Sequence, residues 1–166
     1  MPLHNELLDL AIELVNRNPG AALEGDLRRG VSTAYYALFH LLVRESTSRL
    51  VAVANLRARV GRSFDHRIMR GVCQDYADLI QDMTGNLVFA GQIVPQGIQD
   101  IATAFVALQQ ARHQADYDTS ALITPAQAQI DVTWAELAFA EWDMVRADLA
   151  ADVFLAELLC RGIPRR

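Results

Sequence analysis

The chain has 166 residues, of which 52% are apolar, 21% charged and 7% aromatic, and its formal net charge is −5. That length suits one domain, residues 1–166, with a core of its own, and the composition excludes disordered, collagen-like and disulfide-scaffold chains. The apolar share lies slightly above the usual range for soluble domains, which points to burial beyond one core, as in an oligomer.

Cys73 and Cys160 make neither a metal spacing nor a disulfide framework, so a reducing, cytoplasmic setting is expected. The N-terminus, Met1-Pro2-Leu3-His4-Asn5-Glu6, lacks the basic region and apolar run of a signal peptide. The longest uncharged stretch, Met83 to Gln99, contains Gly85, Gly91, Pro95 and Gly97, which suits a loop and not a membrane span. A soluble intracellular protein with no membrane partner is expected.

All the cations are arginines, and they are unevenly placed. Residues 1–112 balance 11 Arg against 11 acids, while residues 113–166 carry 4 Arg against 9 acids. Within residues 44–70, Arg44, Arg49, Arg57, Arg59, Arg62, Arg67 and Arg70 face only Glu45 and Asp65. Such a stripe can hold phosphate, because the guanidinium fork matches phosphate oxygens. The alternative is a solvated face opposite the acidic C-terminal helix, and the acidic net charge favours that alternative.

Helical periodicity dominates, and no stretch sustains strand alternation. The first helix is predicted over about Leu3 to Asn16, with Leu3, Leu7, Leu10 and Leu14 on one stripe and Asn18-Pro19-Gly20 ending it. The second begins near Glu24 and reaches the mid-forties or beyond. Arg28, Val31, Tyr35, Leu38 and Leu42 share its inward stripe, with Ala34 and Phe39 beside them. Ser46-Thr47-Ser48 weakens it, although helix can continue from Arg49 to Arg59. After a break at Gly61-Arg62-Ser63, Ser63 or Asp65 caps a third helix from about Phe64 to Asp82, facing inward through Ile68, Val72, Tyr76 and Leu79.

Residues 84–95 read as the longest loop, and its apolar Leu87, Val88, Phe89, Ile93 and Val94 imply that it packs back on the bundle or under a partner chain. The fourth helix runs from Pro95–Gly97 to about Gln114, with Ile98, Ile101, Phe105 and Leu108 on a stripe whose next position is Arg112. Thr124-Pro125 starts the fifth. No Gly or Pro follows before Gly162, so a helix approaching 35 residues is expected. Ala135, Phe139, Trp142, Val145, Leu149 and Val153 form one stripe on it, and Ile130, Trp134, Leu137 and Met144 a second. A helix apolar on two sides is buried between layers or shared with a second subunit.

No glycine-rich phosphate loop, Cys/His zinc array or His-Glu-x-x-His motif is present. Cys73 reads as a buried small apolar residue. Arg112 extends an apolar stripe, so its guanidinium needs a partner, and Asp116 lies one turn on. The segment is then either a buried Arg–Asp pair closed by Tyr117 or an arginine held ready for phosphate. On the second helix, Arg28 and Tyr35 share the inward row, while Arg29, Tyr36 and His40 follow a neighbouring one.

The run Arg29-Gly30-Val31-Ser32-Thr33-Ala34-Tyr35-Tyr36-Ala37-Leu38-Phe39-His40, then Asp65-His66 at the third helix and Arg112-x-x-Ala115-Asp116-Tyr117 after the fourth, resembles the HEPN family over about residues 3–160. The resemblance implies an all-α, four- to five-helix up-and-down bundle with a long C-terminal helix, forming a homodimer and needing no cofactor or metal. Many members are metal-independent endoribonucleases, often toxins paired with a nucleotidyltransferase-type antitoxin or acting in phage defence. The family motif is an Arg followed four to six residues later by a His near the dimer interface. The His serves as general acid and base, and the Arg stabilises charge on phosphorus. Arg112 matches the motif's Arg, but Asp116, Tyr117 and Asp118 occupy the positions where its His belongs. His113 is adjacent and points about 100° away on a helix. Arg59 and His66, with six residues between them, form a further Arg–His pair at a different place, interrupted by Gly61.

Two functions are therefore expected. One is a non-catalytic module that binds a nucleotide, RNA or a protein partner through Arg28, Arg29, Tyr35, Tyr36, His40, Arg112, Asp116 and Tyr117. The other is a divergent ribonuclease in which His113, His66 or His40 replaces the missing histidine. A partner-binding scaffold without a ligand is a third.

Overall fold

The computed structural model describes residues 1–18 and 20–161. Pro19, expected to help end the first helix, and Gly162, expected to end the last, lie outside the described residues. The class is all-α. The helices are α1 (Leu3–Asn16), α2 (Glu24–Leu50), α3 (Ala54–Gly61), α4 (His66–Ala77), α5 (Gln96–Tyr117), α6 (Pro125–Val145) and α7 (Leu149–Cys160). One antiparallel hairpin, β1 (Leu87–Phe89) and β2 (Gln92–Val94), precedes α5. Two compact units divide the chain, one of Met1–Leu41 with Ala104–Phe139 and one of Leu42–Thr103 with the chain from Ala140 onward.

In the first unit, α2 buries Val31, Ala34, Tyr35 and Leu38, which the sequence places on or beside the inward stripe, together with Leu27, which it does not. It is joined by Ala11 and Leu14 of α1, Phe105 and Leu108 of α5, and Ala128, Val132 and Ala135 of α6. At Gly30, α1 approaches α2 closely: a Cβ there would lie 2.6 Å from Val15 Cγ1 and 3.4 Å from the Ala11 carbonyl oxygen. The Tyr35 ring meets that of Phe105 at 5.4 Å, and His4 meets Phe139 at 5.8 Å.

In the second unit, α4 turns Met69, Val72, Cys73 and Tyr76 inward, and Tyr76 stacks on Phe89 at 4.3 Å and meets Phe154 edge-on at 4.9 Å. Burial pushes the Cys73 thiol far above the usual thiol range, so it stays protonated and acts as a small apolar residue. Ile98 and Ile101 of α5, Trp142 of α6, and Phe154, Leu155 and Leu158 of α7 complete this core.

Three expected boundaries are corrected. The 35-residue C-terminal helix is two helices, because the Asp148 side chain accepts from the Ala150 backbone N–H at 2.8 Å and caps α7. An aspartate can end one helix and start another without Gly or Pro. The stripe changes register across that break. Leu149 is 71% exposed and Val153 half-buried, while Ala150, Ala151, Phe154 and Leu155 turn inward. The second stripe, Ile130, Trp134, Leu137 and Met144, is exposed.

At the other end, α2 runs through Ser46-Thr47-Ser48, whose hydroxyls donate back to the carbonyls of Leu42, Val43 and Glu45. It then stops at Leu50. Val53 is extended, and α3 starts afresh with no buried residue, so helix does not continue unbroken to Arg59. Finally, α4 begins at His66 and not Phe64, because Asp65 caps it by accepting from the Arg67 and Ile68 backbone N–H groups, and it ends at Ala77, leaving Leu79 beyond the helix. These interruptions give seven helices among the described residues where four or five are expected.

The residue 84–95 loop contains the hairpin, closed by Ala90 and Gly91, both at positive φ. That two-residue turn matches the twist of the paired strands. Leu87 and Val94 are buried, whereas Val88 and Ile93 are exposed.

Trp142 is 1% exposed, and its indole N–H has no acceptor among the described residues. Trp142→Ala should lower stability by about 3–5 kcal/mol. Trp142→Phe, which removes the unpaired donor and keeps most of the apolar surface, should retain most of that stability. Urea unfolding midpoints of the two variants check this, and a Trp142→Ala midpoint close to the parent's would contradict the core assignment.

Candidate functional site

The C-terminal turn of α5 carries the residues of interest in the first unit, and α2 holds it in place. Arg28 is 18% exposed in its side chain, and its guanidinium donates to the carbonyls of Ala115 (2.9 Å), Asp118 (3.0 Å) and Ala121. Glu24, one turn earlier on α2, accepts from Nε at 2.9 Å. The last carbonyls of a helix have no intrahelical partner, so a cation that donates to several at once satisfies them and complements the negative end of the helix dipole. Asp118 continues the turn by accepting from Ser120 Oγ (2.6 Å), the Ser120 N–H (2.9 Å) and the Ala121 N–H (3.1 Å), and these bonds hold its carboxyl below the usual range.

One turn before Asp116, Arg112 is 16% exposed in its side chain. Its Nε donates to Asp116 Oδ2 at 3.1 Å, and Nη2 lies 3.4 Å from the Tyr117 hydroxyl. Its guanidinium carbon lies 5.5 Å from the Tyr35 ring centroid, 5.1 Å from Tyr36 and 5.9 Å from Tyr117. Ser32 Oγ donates to the same Asp116 oxygen at 3.2 Å. One carboxylate and three aromatic faces thus offset the desolvation of the cation. A guanidinium carries five N–H donors, so several remain available to an acceptor entering beside Tyr117.

The other expected residues fall around this cluster or away from it. His113 is exposed and its ring lies 5.1 Å from that of Tyr117. His40 meets Tyr36 at 6.5 Å and Phe39 at 5.4 Å, and burial lowers its pKa below the usual imidazole value. Arg29 is exposed on α2. Arg59 is exposed on α3, while His66 is the first residue of α4, so the pair sits on two different helices. Ser32 is a residue that sequence reasoning did not single out, although it lies one turn before Tyr35 and Tyr36. Arg28 is committed to backbone carbonyls, which makes it a positioning residue in this arrangement.

Among the described residues, no group of three or more His, Cys, Asp or Glu could hold a metal ion, and no helix is long and apolar enough to cross a membrane.

Arg28→Ala should cost about 3 kcal/mol, since bonds from a charged donor are each worth about 1.5–3 kcal/mol, whereas exposed Arg29→Ala should stay within about 0.5 kcal/mol of the parent. Paired urea titrations read the difference. His40 gives a pH dependence. Its folded pKa is lowered from 6.5, so the unfolded chain binds the proton first, and stability present above that value falls as pH drops through and below it. Chemical denaturation between pH 8 and 5 should show that decline, and His40→Gln should flatten it.

Compared with known proteins, the chain matches no family model, no curated protein and no solved structure. The HEPN resemblance therefore stands on the sequence motifs alone.

Proposed function

We propose that the chain is a HEPN-like, non-catalytic binding module that takes a phosphate-bearing base, as a nucleotide or within RNA, at the Arg112 cluster. The observation that carries this reading is a mostly buried guanidinium with only one carboxylate partner, bordered by a Tyr117 ring that is 64% exposed. A phosphate oxygen can accept from the remaining N–H donors, while the base stacks on the phenol. Nothing at the cluster activates a nucleophile. The carboxylate of Asp116 is occupied by Arg112 and Ser32, and the positions where the family motif needs its histidine hold Asp116, Tyr117 and Asp118.

A homodimer belongs to the same proposal. Its support is the apolar groove on α6 lined by Ile130, Trp134 and Leu137, which the first unit leaves uncovered. A second reading, the divergent ribonuclease toxin paired with a nucleotidyltransferase-type antitoxin, is favoured by one observation. His113 lies against Tyr117, the ring that also borders the Arg112 guanidinium.

Calorimetric titration with nucleoside monophosphates and with a short single-stranded RNA tests the binding reading. Arg112→Ala should abolish binding of the nucleoside monophosphates and weaken that of the RNA. Arg112→Lys should weaken it too, because an ammonium lacks the planar fork. Tyr117→Ala should cost about 1–3 kcal/mol of affinity if the base stacks there. RNA incubated with the protein without metal should stay intact. Cleavage that disappears in Arg112→Ala or His113→Ala would transfer the site to the ribonuclease reading, and growth arrest on expression of the parent alone would agree with it.

A further inference from the structure

In the second unit, we propose that the exposed arginines at the end of α3 and the start of α4 dock the phosphodiester backbone of a nucleic acid, without regard to base sequence. This surface carries Arg59, Arg62, Arg67 and Arg70 and is separate in residues from the Arg112 cluster. It does not rest on the reading given to that cluster.

The argument begins with how the arginines are partnered. Among the described residues, Arg17, Arg28, Arg49, Arg112, Arg146 and Arg161 each form an ion pair with a carboxylate. The arginines without one are Arg29 and six of the seven in residues 44–70. Only Arg49 of that stretch is paired, with Asp152 of α7. The acidic C-terminal helix therefore does not neutralise the stripe. Nor do the stripe's own acids, because Glu45 is buried beside Arg146 and Asp65 is occupied by the backbone N–H groups at the start of α4. Arg57 turns aside and donates to the Val51 carbonyl, and exposed Arg44 lies well before the others on α2; Arg59, Arg62, Arg67 and Arg70 remain as exposed cations within twelve residues.

Fold stability does not account for them. Arg67 lies in the first turn of α4, which holds no acidic residue, so it sits at the positive end of the helix dipole, where a cation is unfavourable. α3 buries no side chain at all. On α4, Arg67 and Arg70 flank Gly71 on the side opposite Met69, Val72 and Cys73, and a Cβ at Gly71 would meet nothing within 4 Å.

The chemistry of the surroundings narrows the partner. No large hydrophobic side chain is exposed between Leu56 and Ile80. A membrane surface needs apolar side chains to insert, and a protein interface needs an apolar or aromatic anchor at its centre. A line of phosphates needs neither, and it rewards several unpaired arginines in sequence.

The test is fluorescence anisotropy with a labelled 20-nucleotide single strand, as RNA and as DNA of the same sequence, across 50–200 mM salt. The parent should bind both, with affinity falling steeply as salt rises. The variant Arg59→Gln/Arg62→Gln/Arg67→Gln/Arg70→Gln should bind at least about tenfold more weakly at the lowest salt, and its log–log salt slope should be shallower by about 3, at about 0.7 per phosphate contact. Circular dichroism checks that the helices persist. If the fourfold variant loses helix, Arg67→Gln/Arg70→Gln alone should reduce the slope by about 1.4. Retained binding of nucleoside monophosphates by these variants separates this surface from the Arg112 cluster. An unchanged slope in a folded variant overturns the proposal. So does full competition by millimolar inorganic phosphate, or binding of phosphatidylserine vesicles with no binding of either strand.

Discussion

The cluster in the first unit depends on one guanidinium that is turned to backbone carbonyls and not to the cluster itself. Arg28 reaches from α2 to the Ala115 carbonyl in the last turn of α5 and to the Asp118 and Ala121 carbonyls in the turn beyond it. Those carbonyls have nothing else in the helix to satisfy them. Without that clamp the last turn of α5 would be free to fray, and Asp116 and Tyr117 lie on that turn, with Arg112 one turn before them. The close approach of α1 at Gly30, two residues along, fixes α2 in turn, because only a residue without a side chain leaves room for Val15. The placement of Arg112 therefore descends from packing to a backbone clamp, and from the clamp to a cation held against tyrosine rings.

How much of this was legible in the sequence follows from which signals are local. The inward row of α2 could be read directly, because Val31, Tyr35, Leu38 and Leu42 repeat at helical spacing and all are fully buried. The Thr124-Pro125 start of α6 was legible for the same reason: Thr124 Oγ1 accepts from the Gln127 N–H at 3.2 Å. The pairing of Arg112 with Asp116 followed from one turn of spacing. What spacing cannot show is contact between distant segments. Ser32 and Asp116 are 84 positions apart, and Arg28 and Ala115 are 87 apart, so neither bond leaves a mark in local periodicity.

The misjudged boundaries share a cause as well. Each lies where a side chain competes with the helix for a backbone group, and such competition is settled by a fraction of the energy that periodicity carries. Ser46, Thr47 and Ser48 look like breakers, yet their hydroxyls return to carbonyls of the same helix and leave it intact. Asp148 looks like an ordinary surface acid, yet it caps α7 and divides what the absence of Gly and Pro suggests is one helix. The same residue types act in opposite directions according to whether their polar atom meets a carbonyl or a free N–H.

The arginines show the same dependence on context, with consequences for function. Arg28 and Arg112 are both mostly enclosed, but Arg28 is saturated by carbonyls and Glu24, while Arg112 retains donors beside an exposed phenol. Saturation makes the first a strut, and incomplete saturation leaves the second able to hold an anion. On α3 and α4 the guanidinium groups are exposed and lack carboxylates, so each offers little individually and a set of them offers a salt-sensitive attraction to a charged polymer. A chain with no lysine must use arginine for all three tasks, and what separates the tasks is how many of each guanidinium's donors the fold itself has already consumed.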